Sequence, residues 1–66
     1  MINYVKEMRV SLGMTQQELG DLLKVSRQTI FSIETGKYVP STILSLKISK
    51  TFNKSVDEVF ILEEND

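Results

Sequence analysis

The sequence predicts an all-α fold, a compact bundle of five short helices, on three observations. Apolar residues recur at three- and four-residue spacing in five separate stretches. Each stretch after the first opens on a residue that caps helices well: Thr15, Ser26, Ser41 or Ser55. Only a few residues separate one stretch from the next, and short connections of this kind join neighbouring helices of a bundle. The 66 residues are read as a single domain spanning 1–66. A chain of this size buries only about 60% of its unfolded surface, so its stability is expected to be small.

The elements follow in order. Val5, Met8 and Leu12 lie on one face of a first helix, which Gly13 stops. Met14 precedes the Thr15 cap and staples the second helix, Gln16 to Leu23, whose apolar side carries Leu19, Leu22 and Leu23. Lys24-Val25 is a turn. The third helix runs from Arg27 to Thr35 on the apolar residues Ile30 and Ile33, and Gly36 closes it. Lys37-Tyr38-Val39 is a loop, and Pro40-Ser41 sets up a fourth helix with Ile43, Leu44, Ile48 and Phe52 on its buried side. After a turn at Asn53-Lys54, Ser55 caps a short fifth helix in which Val56, Val59 and Phe60 are apolar. Ile61-Leu62 continues the apolar run and is expected to pair as a short strand with Met1-Ile2-Asn3, because aliphatic residues lie at both ends.

The most informative stretch holds two helix starts eleven residues apart. Thr15-Gln16-Gln17-Glu18 is a capping box, and Ser26-Arg27-Gln28-Thr29 begins with a good N-cap. Two short helices joined by a tight turn, residues 16–35, form the outline of a helix-turn-helix. The outer side of the second of them carries Arg27, Gln28, Thr29 and Ser32. Arginine and glutamine present planar forks that match guanine and adenine edges in the DNA major groove.

Composition narrows the function. With neither cysteine nor histidine, the chain has no disulfide, no thiolate zinc site, no cysteine nucleophile and no histidine base. Only scattered carboxylates and hydroxyls remain, so an enzyme is the poorest reading. No metal, cofactor or small-molecule ligand is expected. No apolar run approaches the roughly 20 residues of a membrane span, and no signal peptide is visible, so a soluble cytoplasmic protein is expected. The net charge of −1 conceals a partition. Residues 1–56 hold all eight Lys and Arg against four acids, a balance of +4, and residues 57–66 hold five acids and no base. The body of the chain therefore suits a polyanion despite its acidic end.

Met14-Thr15-Gln16-Gln17-Glu18-Leu19, Val25-Ser26-Arg27-Gln28-Thr29-Ile30 and Ile33-Glu34-Thr35-Gly36-Lys37 together resemble the Cro/CI-type (XRE) helix-turn-helix family. The likeness continues through Pro40-Ser41 and Ser55-Val56-Asp57-Glu58-Val59-Phe60 and covers nearly the whole chain. It implies a lambda repressor-like DNA-binding domain, a small stand-alone regulator of bacterial or phage DNA with its third helix in the major groove. Carried over by position, it implies Arg27, Gln28 and Ser32 as base readers. Gln16 would begin its helix at a phosphate and buttress Arg27. Thr35, Lys37 and Tyr38 would meet the DNA backbone, and Arg9 and Glu34 would form a buried ion pair between helices one and three. The amides around the caps Thr15 and Ser26, and Thr29 beside them, are further backbone contacts, since helix N-termini favour phosphate. Phe31 stands where the family more often has a polar residue, and three readings are open: contact with a thymine methyl group, which is favoured, a ring lying flat on the domain surface, or a place in a partner interface. Gly20 stands where alanine is common, and Lys24 where glycine or asparagine is common.

The family implies a homodimer on an inverted repeat of double-stranded DNA. A core this small gains from a partner, and the interface is expected within residues 53–64, at Val56, Val59, Phe60, Ile61 and Leu62. The rival reading is a protein-interaction module of the same fold, antitoxin-like or anti-repressor, with Phe31, Tyr38 and Ile61-Leu62 as adhesive features. Arg27, Gln28, Lys37 and the basic body favour nucleic acid.

Overall fold

The computed structural model describes residues 1–66. Its elements are β1 (Ile2–Asn3), α1 (Val5–Ser11), α2 (Gln16–Leu23), α3 (Arg27–Glu34), α4 (Thr42–Phe52), α5 (Val56–Val59) and β2 (Phe60–Ile61). Helix starts fall where the caps place them. The Thr15 hydroxyl accepts from the Glu18 amide at 3.0 Å, and the Glu18 carboxylate accepts from the Thr15 amide at 2.8 Å. Ser26 and Ser41 cap α3 and α4 through the amides of Thr29 and Leu44. Before α5, the Ser55 amide and hydroxyl both donate to Glu58 and hold its carboxyl below the ordinary range. No helix is long and apolar enough to cross a membrane.

The first four helices all end in the same way. One residue turns into the left-handed region: Gly13 (φ 71°), Lys24 (φ 61°), Gly36 (φ 77°) and Asn53 (φ 54°). Two amides then turn back onto the last carbonyls of the helix. Met14 and Gly13 donate to Arg9 and Val10, Val25 and Lys24 to Gly20 and Asp21, Lys37 and Gly36 to Ser32 and Ile33, and Lys54 and Asn53 to Ser49 and Lys50. This is the Schellman closure, which satisfies carbonyls that a helix end otherwise leaves free. Lys24 is the one side chain of the four with neither glycine's freedom nor asparagine's tolerance of this region.

Gly20 explains why the turn between α2 and α3 is so tight. A Cβ there would stand 2.7 Å from the carbonyl oxygen of Val25 and 3.4 Å from the Arg27 amide. The missing side chain lets the start of α3 close onto α2, and these two helices are the most tightly associated elements of the fold. Glycine costs about 1 kcal/mol of helix propensity, which this contact offsets.

Ten side chains form one core: Val5, Leu19, Leu23, Ile30, Ile33, Leu44, Ile48, Phe52, Val59 and Phe60. Met8, Met14, Val25 and Val56 pack against it from the rim. Three apolar residues expected on buried faces lie outside: Leu12, Leu22 and, at 70% exposure, Ile43. Leu12 has already left the helical spiral as the C-cap of α1. Ile43 is one residue out of phase with the buried row Leu44-Ile48-Phe52 of α4, and Leu22 is one out of phase with Leu19-Leu23 of α2.

The termini pair as an antiparallel two-stranded sheet, Ile2 opposite Ile61 and Asn3 opposite Phe60. The Tyr4 amide extends the ladder to the Val59 carbonyl at 2.9 Å. The register lies one residue earlier than the expected pairing of Ile61-Leu62. Phe60 thus belongs to the strand and not to the fifth helix, which is four residues long. The pairing turns Phe60 inward beside the fully buried Val59. The sequence alone places both at a dimer interface. Their side chains fill the protein's own core instead, and neither is available to a partner.

Lys24→Gly should raise stability by about 0.5–1 kcal/mol, because it removes the left-handed strain and adds back only part of that cost as chain entropy. Denaturant titration would show a higher midpoint at an unchanged m-value.

Candidate nucleic-acid interface

α3 is held from behind so that its front stays free. Ile30 and Ile33 are fully buried and seat the helix on the core. Its last turn is then gripped by three polar side chains from three different places. Asn3 donates its amide to the Ile33 carbonyl at 2.9 Å while its oxygen accepts from the Val5 amide at 3.2 Å. The Arg9 guanidinium approaches Glu34 with two nitrogens, Nε at 2.7 Å and Nη2 at 3.3 Å, and its Nη1 donates to the Met14 carbonyl at 2.7 Å. Gln16 donates to the same carboxylate at 3.1 Å. The Glu34 side chain is only 3% exposed, so this pair is nearly withdrawn from water and its carboxylate is fully partnered.

The opposite side of α3 presents Arg27, Gln28 and Phe31 to solvent, one stripe at positions i, i+1 and i+4. None of the three makes a side-chain hydrogen bond that would have to break on binding. Beside them a shallow open groove is lined by Ser26, Gln28, Thr29, Ser32 and Tyr38, with Val25 and Leu44 at its floor. Ser32 is half-buried there and Tyr38 is exposed. Ser26 and Thr29 share a hydroxyl hydrogen bond of 2.9 Å at the mouth of the helix. Thr35 donates its hydroxyl back to the Phe31 carbonyl at 2.9 Å. The Lys37 ammonium lies 5.9 Å from the centre of the Phe31 ring.

The structure therefore brings Arg27, Gln28, Phe31, Ser32, Thr35, Lys37 and Tyr38 to α3 and the loop that follows it. Thr15 and Gln16 sit at the start of α2. Gln16 differs from its expected role: its amide braces Glu34, and no bond reaches Arg27. Asn3 was not foreseen. Its only sequence signal is an asparagine two residues before a helix, which reads as a cap, and its grip on Ile33 depends on the terminal pairing.

A model of the helix-turn-helix family matches residues 5–59. Over its whole length the chain is 48% identical to the uncharacterized HTH-type transcriptional regulator YgzD of Bacillus subtilis (strain 168), covering all of both chains. It is 44% identical, again across all of both chains, to the uncharacterized HTH-type transcriptional regulator MJ0272 of Methanocaldococcus jannaschii. A solved structure, the restriction-modification controller protein C.AhdI of Aeromonas hydrophila, superposes with a TM-score of 0.75 at 25% identity, covering 85% of this chain and 81% of that one. The chain belongs to the helix-turn-helix transcriptional regulators of the XRE type. A further relative, 36% identical over 92% of this chain and 56% of its own, is the competence pilus inhibition repressor of Acinetobacter baylyi.

Arg9→Met should cost about 3–5 kcal/mol, because it leaves the Glu34 carboxylate buried without its cation. That is most of the roughly 3–10 kcal/mol expected for a domain of this length. Adding Glu34→Leu should restore much of the loss, since an apolar pair of similar volume packs without a desolvated charge. Circular dichroism melts of the single and double variants would show it. A double variant as unstable as Arg9→Met would mean that the pair contributes more than charge compensation.

Proposed function

We propose that this protein is a sequence-specific regulator of transcription that binds double-stranded DNA as a homodimer on an inverted-repeat operator, acting in the cytoplasm with α3 in the major groove. The observation that carries this reading is the free stripe Arg27-Gln28-Phe31 on a helix whose back is fixed by the Arg9–Glu34 pair. Arg27 reads a guanine edge and Gln28 an adenine edge, each contact worth about 1–3 kcal/mol of discrimination. Ser32 reads more weakly from the groove, and Phe31 packs on a thymine methyl. Lys37, Tyr38, Thr35, Ser26 and Thr29 meet phosphates around α3. Thr15 and Gln16 do so at the start of α2, where the capping box takes the Thr15 and Glu18 amides, leaves those of Gln16 and Gln17 for an anion, and the helix dipole favours negative charge.

The dimer surface is the outer side of the terminal sheet and the chain after it. With Val59 and Phe60 in the core, the residues left for a partner are half-buried Val56 and Ile61, Leu62 at 77% exposure, and Ile2, which faces outward opposite Ile61. A two-fold axis there would set two copies of α3 about 34 Å apart, one turn of DNA.

Selection of bound sites from random duplexes should return an inverted repeat. Arg27→Ala and Gln28→Ala should each lose specific binding at one position of it while melting like the parent. If either variant binds the selected site as tightly as the parent does, α3 is not the reading helix. Leu62→Asp should yield a monomer in sedimentation at micromolar concentration and weaken operator binding. A variant that still dimerises would move the interface elsewhere.

A further inference from the structure

Lys37 occupies a defined place in the closure of α3. With Thr35 as C-cap and Gly36 left-handed at φ 77°, Lys37 is the residue whose amide returns to the Ser32 carbonyl, at 2.9 Å. In a Schellman closure the side chain at this place often makes an apolar contact with the residue three or four positions before the C-cap. Here the residue four before is Phe31, and the ammonium stands 5.9 Å from its ring centre, within the range of cation–π attraction. The backbone turn thus delivers the charge to the ring, and both groups lie on the exposed side of α3, with Phe31 39% exposed.

We propose that Phe31 is a positioning residue for DNA binding: its ring holds the Lys37 ammonium where a backbone phosphate meets it, so that the two side chains act as one contact. This rests on the reading of α3 as the DNA-binding helix. A free lysine loses considerable rotamer freedom when a phosphate fixes it. A lysine already stacked on a ring loses less, and preorganisation of this kind appears as affinity. The ring attracts the cation without consuming its charge, and the ammonium keeps donors for the phosphate oxygens. Phe31 then has two functions with different signatures. Its contact with a thymine methyl affects one operator position, whereas its support of Lys37 affects binding to every sequence.

The test is a double-mutant cycle measured on the selected operator and on an unrelated duplex across a range of salt. Lys37→Ala should weaken binding to both and lower the salt slope by about one. Phe31→Leu keeps an apolar side chain but removes the ring, and should weaken binding to the unrelated duplex about two- to fivefold. Phe31→Tyr should restore it. In the Lys37→Ala background Phe31→Leu should add nothing on the unrelated duplex. An equal loss in both backgrounds, or a loss confined to one operator position, would overturn the proposal while leaving the reading of α3 intact. If Lys37→Ala changes neither affinity nor slope, the phosphate contact itself is absent and the proposal falls with it. Without DNA, the Lys37 side-chain methylene protons should show an upfield ring-current shift that disappears in Phe31→Leu. Unshifted signals in the parent would overturn the pairing directly.

Discussion

The buried Arg9–Glu34 pair is the constraint on which the arrangement depends. A guanidinium taken out of water must have its charge and its donors answered. Arg9 meets this demand only when Glu34 of α3 and the Met14 carbonyl before α2 stand at fixed places around it. Gln16 adds the first residue of α2 to the same carboxylate. One charge pair on the first helix therefore ties down the end of the third and the beginning of the second. An apolar core of ten side chains has no such directional demand. The polar cluster fixes the angle of α3 about its axis, and with it the direction in which the exposed Arg27 and Gln28 point.

The helix ends provide the second constraint, and it is purely local. Four short helices in a chain of this length need four sharp exits, and each uses a left-handed residue with two returning amides. The device fixes the direction of the chain after each helix without burying a side chain. At α2 it works together with the absent side chain of Gly20 to bring α3 close. At α3 it places Lys37 on Phe31. The same backbone motif thus sets the packing of the helix pair at one end and the position of a surface charge at the other.

Most of what could be read from the sequence was local. Caps and stops depend on residues within one turn of each other, so the starts at Thr15, Ser26, Ser41 and Ser55 and the exits at Gly13 and Gly36 were visible. Helical phase was less so. Spacing alone allows Ile43 or Leu44 to face inward, and Leu22 or Leu23; only the neighbouring helices decide, and a core of ten residues leaves several apolar side chains outside. The chain ends were legible as a pairing but not in register. A shift of one residue moved Phe60 from helix to strand and into the core, and Val59, at the end of α5, is buried beside it, so neither lies on the expected dimer surface. The bonds of Gln16 to Glu34 and of Asn3 to Ile33 were not legible because the partners lie 18 and 30 residues away.

The fold and the proposed reading surface use different residues. Seating and orientation come from Ile30, Ile33 and Glu34 on the back of α3, and the exposed stripe Arg27, Gln28 and Phe31 touches none of the core. On the proposed reading, substitution along that stripe changes which sequence is bound with little effect on stability, because exposed positions away from caps and buried pairs are nearly neutral. A fold specified by so few positions can also persist while most of the sequence changes, as the superposition on C.AhdI at 25% identity illustrates. Phe31 and Lys37 are the exception to this separation. Lys37 takes its place from the closure of the helix and Phe31 from the helix face, so a change at Gly36 would reach the surface through the backbone and displace a charge that makes no contact with the core.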